Sequence, residues 1–152
     1  MAERPSISII IPARNEQDYI GAALASIARQ TYPPDRLECI VVDNGSSDGT
    51  AEQVRAVQEV ARHELKLAYE PEPGTARAKN RGSQEATGDI LLFLDADSQL
   101  GENLLSAVSR SRQQGVPASS IRIVADSHNL LERGYFALMQ VGPTLFGVRG
   151  QM

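Results

Sequence analysis

Two aspartates separated by a single residue, Asp95-Ala96-Asp97, stand directly after the apolar run Ile90-Leu91-Leu92-Phe93-Leu94. Carboxylates that close repel one another unless a cation neutralises them. A hard divalent ion, Mn²⁺ or Mg²⁺, suits such a pair and can take further ligands from the oxygens of a diphosphate. Binding of a phosphorylated substrate through a metal is therefore one chemistry these residues could serve. An aspartate-rich turn that caps the following helix is the other. On these three residues alone both readings stand.

The acid pair needs an element that presents it at an opening. Residues 90–94 read as a strand apolar on both faces, of the kind buried inside an α/β sheet. The C-terminal ends of such strands open onto the crevice where ligands bind. Two more apolar runs end in polar residues. Residues 7–11 are β-branched and stop at Pro12, followed by Ala13-Arg14-Asn15-Glu16, and residues 37–42 are followed by Asp43. In a parallel sheet the three ends lie along one rim. Asp43 is suited to accept hydrogen bonds from a base or ribose edge, or it is a turn former. Ser47 and Asp48 are read as turn and cap residues. Arg77, Lys79 and Arg81, near the start of a third helix, form a plausible diphosphate site or else a solvated face.

The remaining elements follow from periodicity and punctuation. Asn15 is expected to cap a first helix with Ile20, Leu24, Ile27 and Ala28 on one face, stopped by Tyr32-Pro33-Pro34. The run from Asp43 to Gly49 is a dense turn signal. Thr50 with Gln53 then reads as a capping box, with Val54, Val57 and Ala61 facing inward. Residues 65–69 make a weaker strand. The loop Glu70-Pro71-Glu72-Pro73-Gly74 is rigid, and a helix over 75–86 is closed by Gly88. A helix is expected around Leu104, Leu105 and Val108, and a strand over 121–125. Residues 130–140 read as helical, while 141–152 contain no closing element. Strands alternating with helices predict an α/β fold, a mostly parallel sheet with helices on both faces.

At 152 residues and 41% hydrophobic content the chain makes one globular domain with a sizeable core. A net charge of −4 provides neither a basic field for nucleic acid nor a polybasic membrane patch. The single cysteine, Cys39, sits in a strand-like run and reads as core, which fits a reducing compartment. With no signal-like stretch and no apolar segment near the roughly 20 residues of a membrane span, a cytoplasmic location is expected. His63 and His128 lie in no metal-ligand spacing and are read as surface residues. The absence of Gly-x-Gly-x-x-Gly, a Walker loop and Gly-x-Ser-x-Gly disfavours a dinucleotide dehydrogenase, a P-loop kinase and a serine hydrolase.

Four segments in register resemble family-2 glycosyltransferases of the GT-A fold. They are Ser8-Ile9-Ile10-Ile11-Pro12-Ala13-Arg14-Asn15-Glu16, Ile40-Val41-Val42-Asp43-Asn44-Gly45-Ser46-Ser47-Asp48-Gly49-Thr50, Ala78-Lys79-Asn80-Arg81-Gly82, and Gly88-Asp89-Ile90-Leu91-Leu92-Phe93-Leu94-Asp95-Ala96-Asp97. The likeness covers roughly the first 110 residues. It implies a GT-A (Rossmann-like) sheet and a nucleotide-diphosphate-sugar donor, a UDP-sugar being the expected one. It implies further that Pro12, Ala13, Arg14 and Glu16 line the nucleoside pocket and that Asp43 holds the base. Asp95, with Ala96 beside it, would contact the ribose or metal side, and Asp97 would ligate Mn²⁺ or Mg²⁺. Lys79 stands where the family usually has arginine. The reaction implied is metal-dependent, inverting transfer to an acceptor hydroxyl.

The resemblance also carries an expectation of incompleteness. Family members place their general base, often in a Glu-Asp pair, in the second half of the domain. After Glu102 the only acids are Asp126 and Glu132, and neither sits in that context. Residues 1–115 would be the donor-binding part of a single domain and 116–152 the start of an acceptor-side part, apparently truncated. Peripheral membrane or subunit association stays open. So do two other functions: an inactive nucleotide-sugar-binding fragment or subunit, and a haloacid-dehalogenase-type phosphatase. The phosphatase is disfavoured because its Asp-x-Asp usually opens the chain and is not followed by Ser98-Gln99.

Overall fold

In the computed structural model the described residues are 4–115. The strand expected over 121–125, the segments 130–140 and 141–152, and Asp126, His128 and Glu132 all lie outside them. The elements are β1 (Ile7–Ala13), α1 (Ile20–Ala28), a 3₁₀ turn (Pro34–Arg36), β2 (Leu37–Asp43), α2 (Thr50–Gln58), β3 (Glu64–Tyr69), α3 (Thr75–Glu85), β4 (Ile90–Phe93) and α4 (Leu104–Gln113). The four strands are parallel, in the order β3-β2-β1-β4. The chain builds outward from β1 through β2 to β3, then returns to add β4 on the other side. That reversal creates a switch point between β1 and β4, where such sheets bind ligands.

The apolar runs of β1 and β2 are continuous because both faces of these strands are covered. Ile7, Ile9 and Ile11 pack with Leu24 and Ile27 of α1, Val54 of α2 and Leu105 of α4. On the other face Ile40 and Val42 pack with Ala78 of α3. Cys39 is buried, and burial raises its thiol pKa, so it is core as expected. Among the described residues no helix is long and apolar enough to cross a membrane.

Several local expectations are corrected. The first strand does not stop at Pro12 but runs through Ala13, paired with β2 throughout. Leu94 N–H donates to Ile10 C=O, so Ile10 and Pro12 turn their backbone groups toward β4. The next rung of a parallel ladder would need an N–H from Pro12. Proline has none, and β4 pairing ends there. Ala28 is exposed, and Ala23 takes its place in the buried face of α1. The helix expected to be closed by Gly88 ends at Glu85, with Ala86 already extended. His63 is buried, not at the surface; among the described residues its Nε2 has no hydrogen-bond partner, and burial lowers its pKa.

β4 is not buried on both faces. Leu91 and Phe93 are exposed at 44% and 45%, while Leu92 and Leu94 are buried. Among the described residues it is an edge strand, and only one of its faces meets the core.

The end of the sheet opposite the rim is held by a buried carboxylate. Glu38 Oε1 accepts hydrogen bonds from Ser8 Oγ, from both N–H and Oγ of Thr87, and from Gly88 N–H. Its Oε2 pairs with Lys66 Nζ at 2.9 Å. One side chain thus ties β1, β2, β3 and the turn before β4. Burial alone would raise the carboxyl, but the hydrogen bonds from Lys66, Ser8 and Thr87 outweigh it and hold the pKa at about 2.

Close packing of α3 on β1 depends on Gly82. A Cβ there would stand 2.4 Å from Ile10 Cγ2 and 3.2 Å from Val42 Cγ2, both on fully buried strand residues. Alanine is the better helix former by about 0.8–1.0 kcal/mol, but overpacking a rigid core costs about 1–3 kcal/mol. The clash should win. Gly82→Ala is expected to lower the urea midpoint, whereas a gain in stability would show that α3 can lift from the sheet at little cost.

Candidate functional site

The crevice at the switch point is a cavity of about 230 Å³ lined by Pro12, Ala13, Arg14, Glu16, Asn44, Thr75, Asp95, Ala96 and Asp97. It gathers residues from the ends of β1 and β2, the start of α3 and the turn after β4. Seven of the nine residues expected from sequence line it: Pro12, Ala13, Arg14, Glu16, Asp95, Ala96 and Asp97. Asp43 and Lys79 are not among the lining residues. Asp43 is 8% exposed and accepts Ser46 N–H at 2.9 Å. Lys79 pairs with Asp95, its Nζ 3.6 Å from Oδ1, and lies 5.9 Å from the centre of the Phe93 ring. Arg81 is paired with Glu85 at 2.7 Å. Asn44 and Thr75 are lining residues that sequence reasoning missed. Their signal was position alone, one directly after a strand and the other first in a helix.

Backbone alternation sets the acids in place. From Leu91 to Asp97 exposed and buried residues alternate without a break, so Leu92, Leu94 and Ala96 face the core. Asp95 and Asp97 therefore project on the opposite side, a period of two carried past the last hydrogen-bonded residue of β4. Ser98 N–H then closes a turn onto Asp95 C=O at 3.0 Å. Ala96, 3% exposed, is the pin that holds this segment down.

The loop after β1 is clasped to the loop after β2. Asn15 adopts φ 56°, a left-handed conformation that asparagine tolerates better than most residues. It is not the cap of α1, which starts five residues later at Ile20. Its Oδ1 accepts Ser47 N–H at 2.8 Å, and its own N–H donates to Ser46 Oγ at 3.0 Å. Glu16 N–H donates to Thr50 Oγ1 at 2.9 Å, and Gln17 N–H to Asp48 Oδ2 at 3.2 Å. The capping box expected at Thr50 and Gln53 does not form. Asp48 Oδ1 accepts Thr50 N–H at 3.0 Å, which makes Asp48 a turn residue leading into α2, whose N-cap is Gly49, and Gln53 Nε2 donates to Gln17 C=O instead. This clasp fixes Arg14 and Glu16 on the cavity wall.

The field inside is negative. The Glu16 pKa is raised by burial, then by the charges of Asp97, Asp48 and Asp95. Such a field favours a cation. Among the described residues no group of three or more His, Cys, Asp or Glu could hold a metal by itself. Two aspartates fit Mn²⁺ or Mg²⁺ that completes its shell from water and a bound diphosphate, the usual arrangement for Mg²⁺.

Comparison with known proteins gives the same picture. A family model described as "Glycosyl transferase family 2" matches residues 8–133. Glycosyltransferase AglE of Haloferax volcanii is 43% identical over 94 residues, 61% of this chain and 31% of that protein. The 4,4'-diaponeurosporenoate glycosyltransferase of Staphylococcus haemolyticus is 39% identical over 116 residues, 72% of this chain and 29% of that protein. Among solved structures, the mannosyltransferase PcManGT of Pyrobaculum calidifontis, in complex with GDP-Man and Mn²⁺, superposes with a TM-score of 0.68 at 32% identity. That match covers 89% of this chain and 39% of the other. S. aureus TarS 1–349 in complex with UDP gives a TM-score of 0.67 at 27% identity, over 72% of this chain and 32% of the other. The chain thus spans about a third of the length of the relatives it matches. With the family match extending over most of its residues and the GT-A architecture shared with these structures, the chain belongs to glycosyl transferase family 2.

Proposed function

We propose that this chain carries the donor-binding part of a metal-dependent, inverting glycosyltransferase that uses a nucleoside-diphosphate sugar. The observation that carries the reading is the convergence of Arg14, Glu16, Asp95 and Asp97 on one cavity at the sheet's switch point. It is supported by the relatives solved with GDP-Man and Mn²⁺ and with UDP. Pro12, Ala13 and Arg14 would line the nucleoside side, with Asp43 accepting hydrogen bonds from the base. Asp97, with Asp95 beside it, would hold Mn²⁺ or Mg²⁺. When bound, that ion supplies stabilisation of the negative charge that develops on the departing diphosphate.

The chain's residues then have separable tasks. Lys79 balances Asp95 and is close enough to keep the acid pair from repelling itself apart. Ala96 keeps both aspartates aimed outward. In the transfer step the acceptor oxygen forms a bond to the anomeric carbon as the bond to the diphosphate oxygen breaks. That electron pair leaves on the nucleoside diphosphate, and the acceptor proton passes to a base outside the donor pocket.

UDP, GDP, TDP and CDP titrated calorimetrically, with and without Mn²⁺, test this reading. One of them is expected to bind, and to need the metal for full affinity. Failure of all four, with metal present, would remove it. Binding without sugar transfer to any acceptor would favour the donor-binding subunit over the complete enzyme.

A further inference from the structure

The loop between β3 and α3, Glu70-Pro71-Glu72-Pro73-Gly74, contains two prolines and so has only three N–H groups. All three are satisfied. Glu70 N–H donates to Asp43 C=O at 3.0 Å, Glu72 N–H to Glu70 Oε1 at 2.9 Å, and Gly74 N–H to Asn44 Oδ1 at 2.8 Å. Asn44 also donates from Nδ2 to Glu70 C=O at 2.9 Å and to Glu72 C=O at 2.8 Å. A single side chain, 5% exposed, therefore makes three bonds to this loop and uses both of its donors. Its own N–H is fixed to Ala13 C=O at 2.8 Å. The loop delivers the chain through Gly74, at φ 142°, to Thr75 on the cavity wall.

We infer that Asn44 is a positioning residue whose amide clamps the 70–74 loop, and so sets Thr75 and the first turn of α3 against the bound nucleotide. The inference rests on the donor-site reading above. It deepens that reading by assigning a task to a lining residue whose polar atoms are already committed to the loop.

An amide is required because Nδ2 faces two carbonyl oxygens. Aspartate at this position keeps the acceptor for Gly74 N–H but sets an oxygen against both carbonyls. Only its protonated form can donate, and then to one of them. Asn44→Asp therefore makes the clamp proton-dependent. By linkage, a nucleotide that prefers the clamped loop must tighten the clamp by the same factor that unclamping weakens binding.

UDP and GDP, each with Mn²⁺, are titrated into the full chain and into Asn44→Asp, with thermal midpoints measured alongside. Relative to the parent chain, the variant should lose about tenfold or more in nucleotide affinity at about pH 8. Part of that loss should be recovered at about pH 5, where a carboxyl held against carbonyls takes up its proton and regains one of the two donations. An unchanged affinity ratio at both pH values would overturn the clamp, as would a lowered thermal midpoint with normal affinity. Hydrogen exchange on the parent chain needs no variant: the Gly74 amide should slow by a similar factor when nucleotide is added. Bound nucleotide with unchanged Gly74 exchange would overturn the inference while leaving the donor site intact. No binding of either nucleotide by the parent chain would remove the donor site, and the clamp with it.

Discussion

Glu38→Ala should destabilise the fold by about 3 kcal/mol, through loss of several charge-assisted hydrogen bonds to one buried carboxylate. Lys66 is part-exposed and keeps Glu64 at 3.3 Å, so the main loss lies with the other donors. The Ser8 hydroxyl and the Thr87 N–H lose the acceptor that Oε1 provides, while Gly88 N–H keeps Ser8 Oγ at 2.8 Å. Of these only the Ser8 hydroxyl is fully buried, and such a donor left unpaired costs about 1–3 kcal/mol. Acid should reproduce part of the effect in the unmodified chain. The folded pKa of Glu38, about 2, lies below its ordinary value of 4.5. The stabilisation is thus fully present above about pH 4.5 and is lost as pH falls toward about 2, amounting to about 3 kcal/mol. Glu38→Gln supplies the control, since its side chain cannot titrate. Urea midpoints of parent and Glu38→Gln should differ at neutral pH and converge in acid. A constant difference across that window would show that another group governs the acid transition.

Asp97→Ala is expected to abolish the metal-dependent part of nucleotide binding while leaving the fold intact. Among the described residues its recorded hydrogen bond is a long one, from Ser98 Oγ at 3.4 Å, and its side chain is exposed. The thermal midpoint should therefore stay near that of the parent, since exposed substitutions of this kind usually fall within about 0.5 kcal/mol. Affinity behaves differently. Losing a residue that merely supports a metal ligand already weakens metal binding about 10–100-fold, so losing the proposed ligand itself should reach at least about 100-fold. Calorimetry with and without Mn²⁺ separates the two quantities. Retention of the metal-dependent increment in Asp97→Ala would place the cation elsewhere. A fall in thermal midpoint matching the fall in affinity would mean that Asp97 supports the turn rather than the ligand.

The rim was legible in the sequence because it is written locally. A β-branched run followed at once by polar residues marks a strand end, and parallel strands bring their ends together whatever lies between them. That logic gathered Pro12, Ala13, Arg14, Glu16 and the Asp95–Asp97 pair into one cavity. The misses have a shared cause. Asn15, Thr50 and Gln53 are good local capping residues, but their groups find partners about thirty residues away, which no local rule reveals. Asn44 was hidden inside a run of turn formers, its partners in a loop that sequence alone marks only as rigid. The apolar run of β4 read as doubly buried because its composition is uniform. Continuing the count through Asp95, Ala96 and Asp97 exposes the alternation, and with it the solvent-facing side of Leu91 and Phe93. His63 was misjudged because a lone polar side chain says little about what the backbone folds over it.

The proline in β1 bears on more than the placement of the crevice. Opening a cavity beside a central strand leaves a length of backbone without a neighbour, and bare strand backbone is a template for a foreign strand. On the open side past Ile10 the next residue to offer backbone groups is Pro12, which has no N–H to offer. The mouth of the site is therefore sealed against β-type association by the same residue that makes it. Pro12→Ala would restore that donor, and with it a length of strand backbone beside the crevice able to pair with another chain.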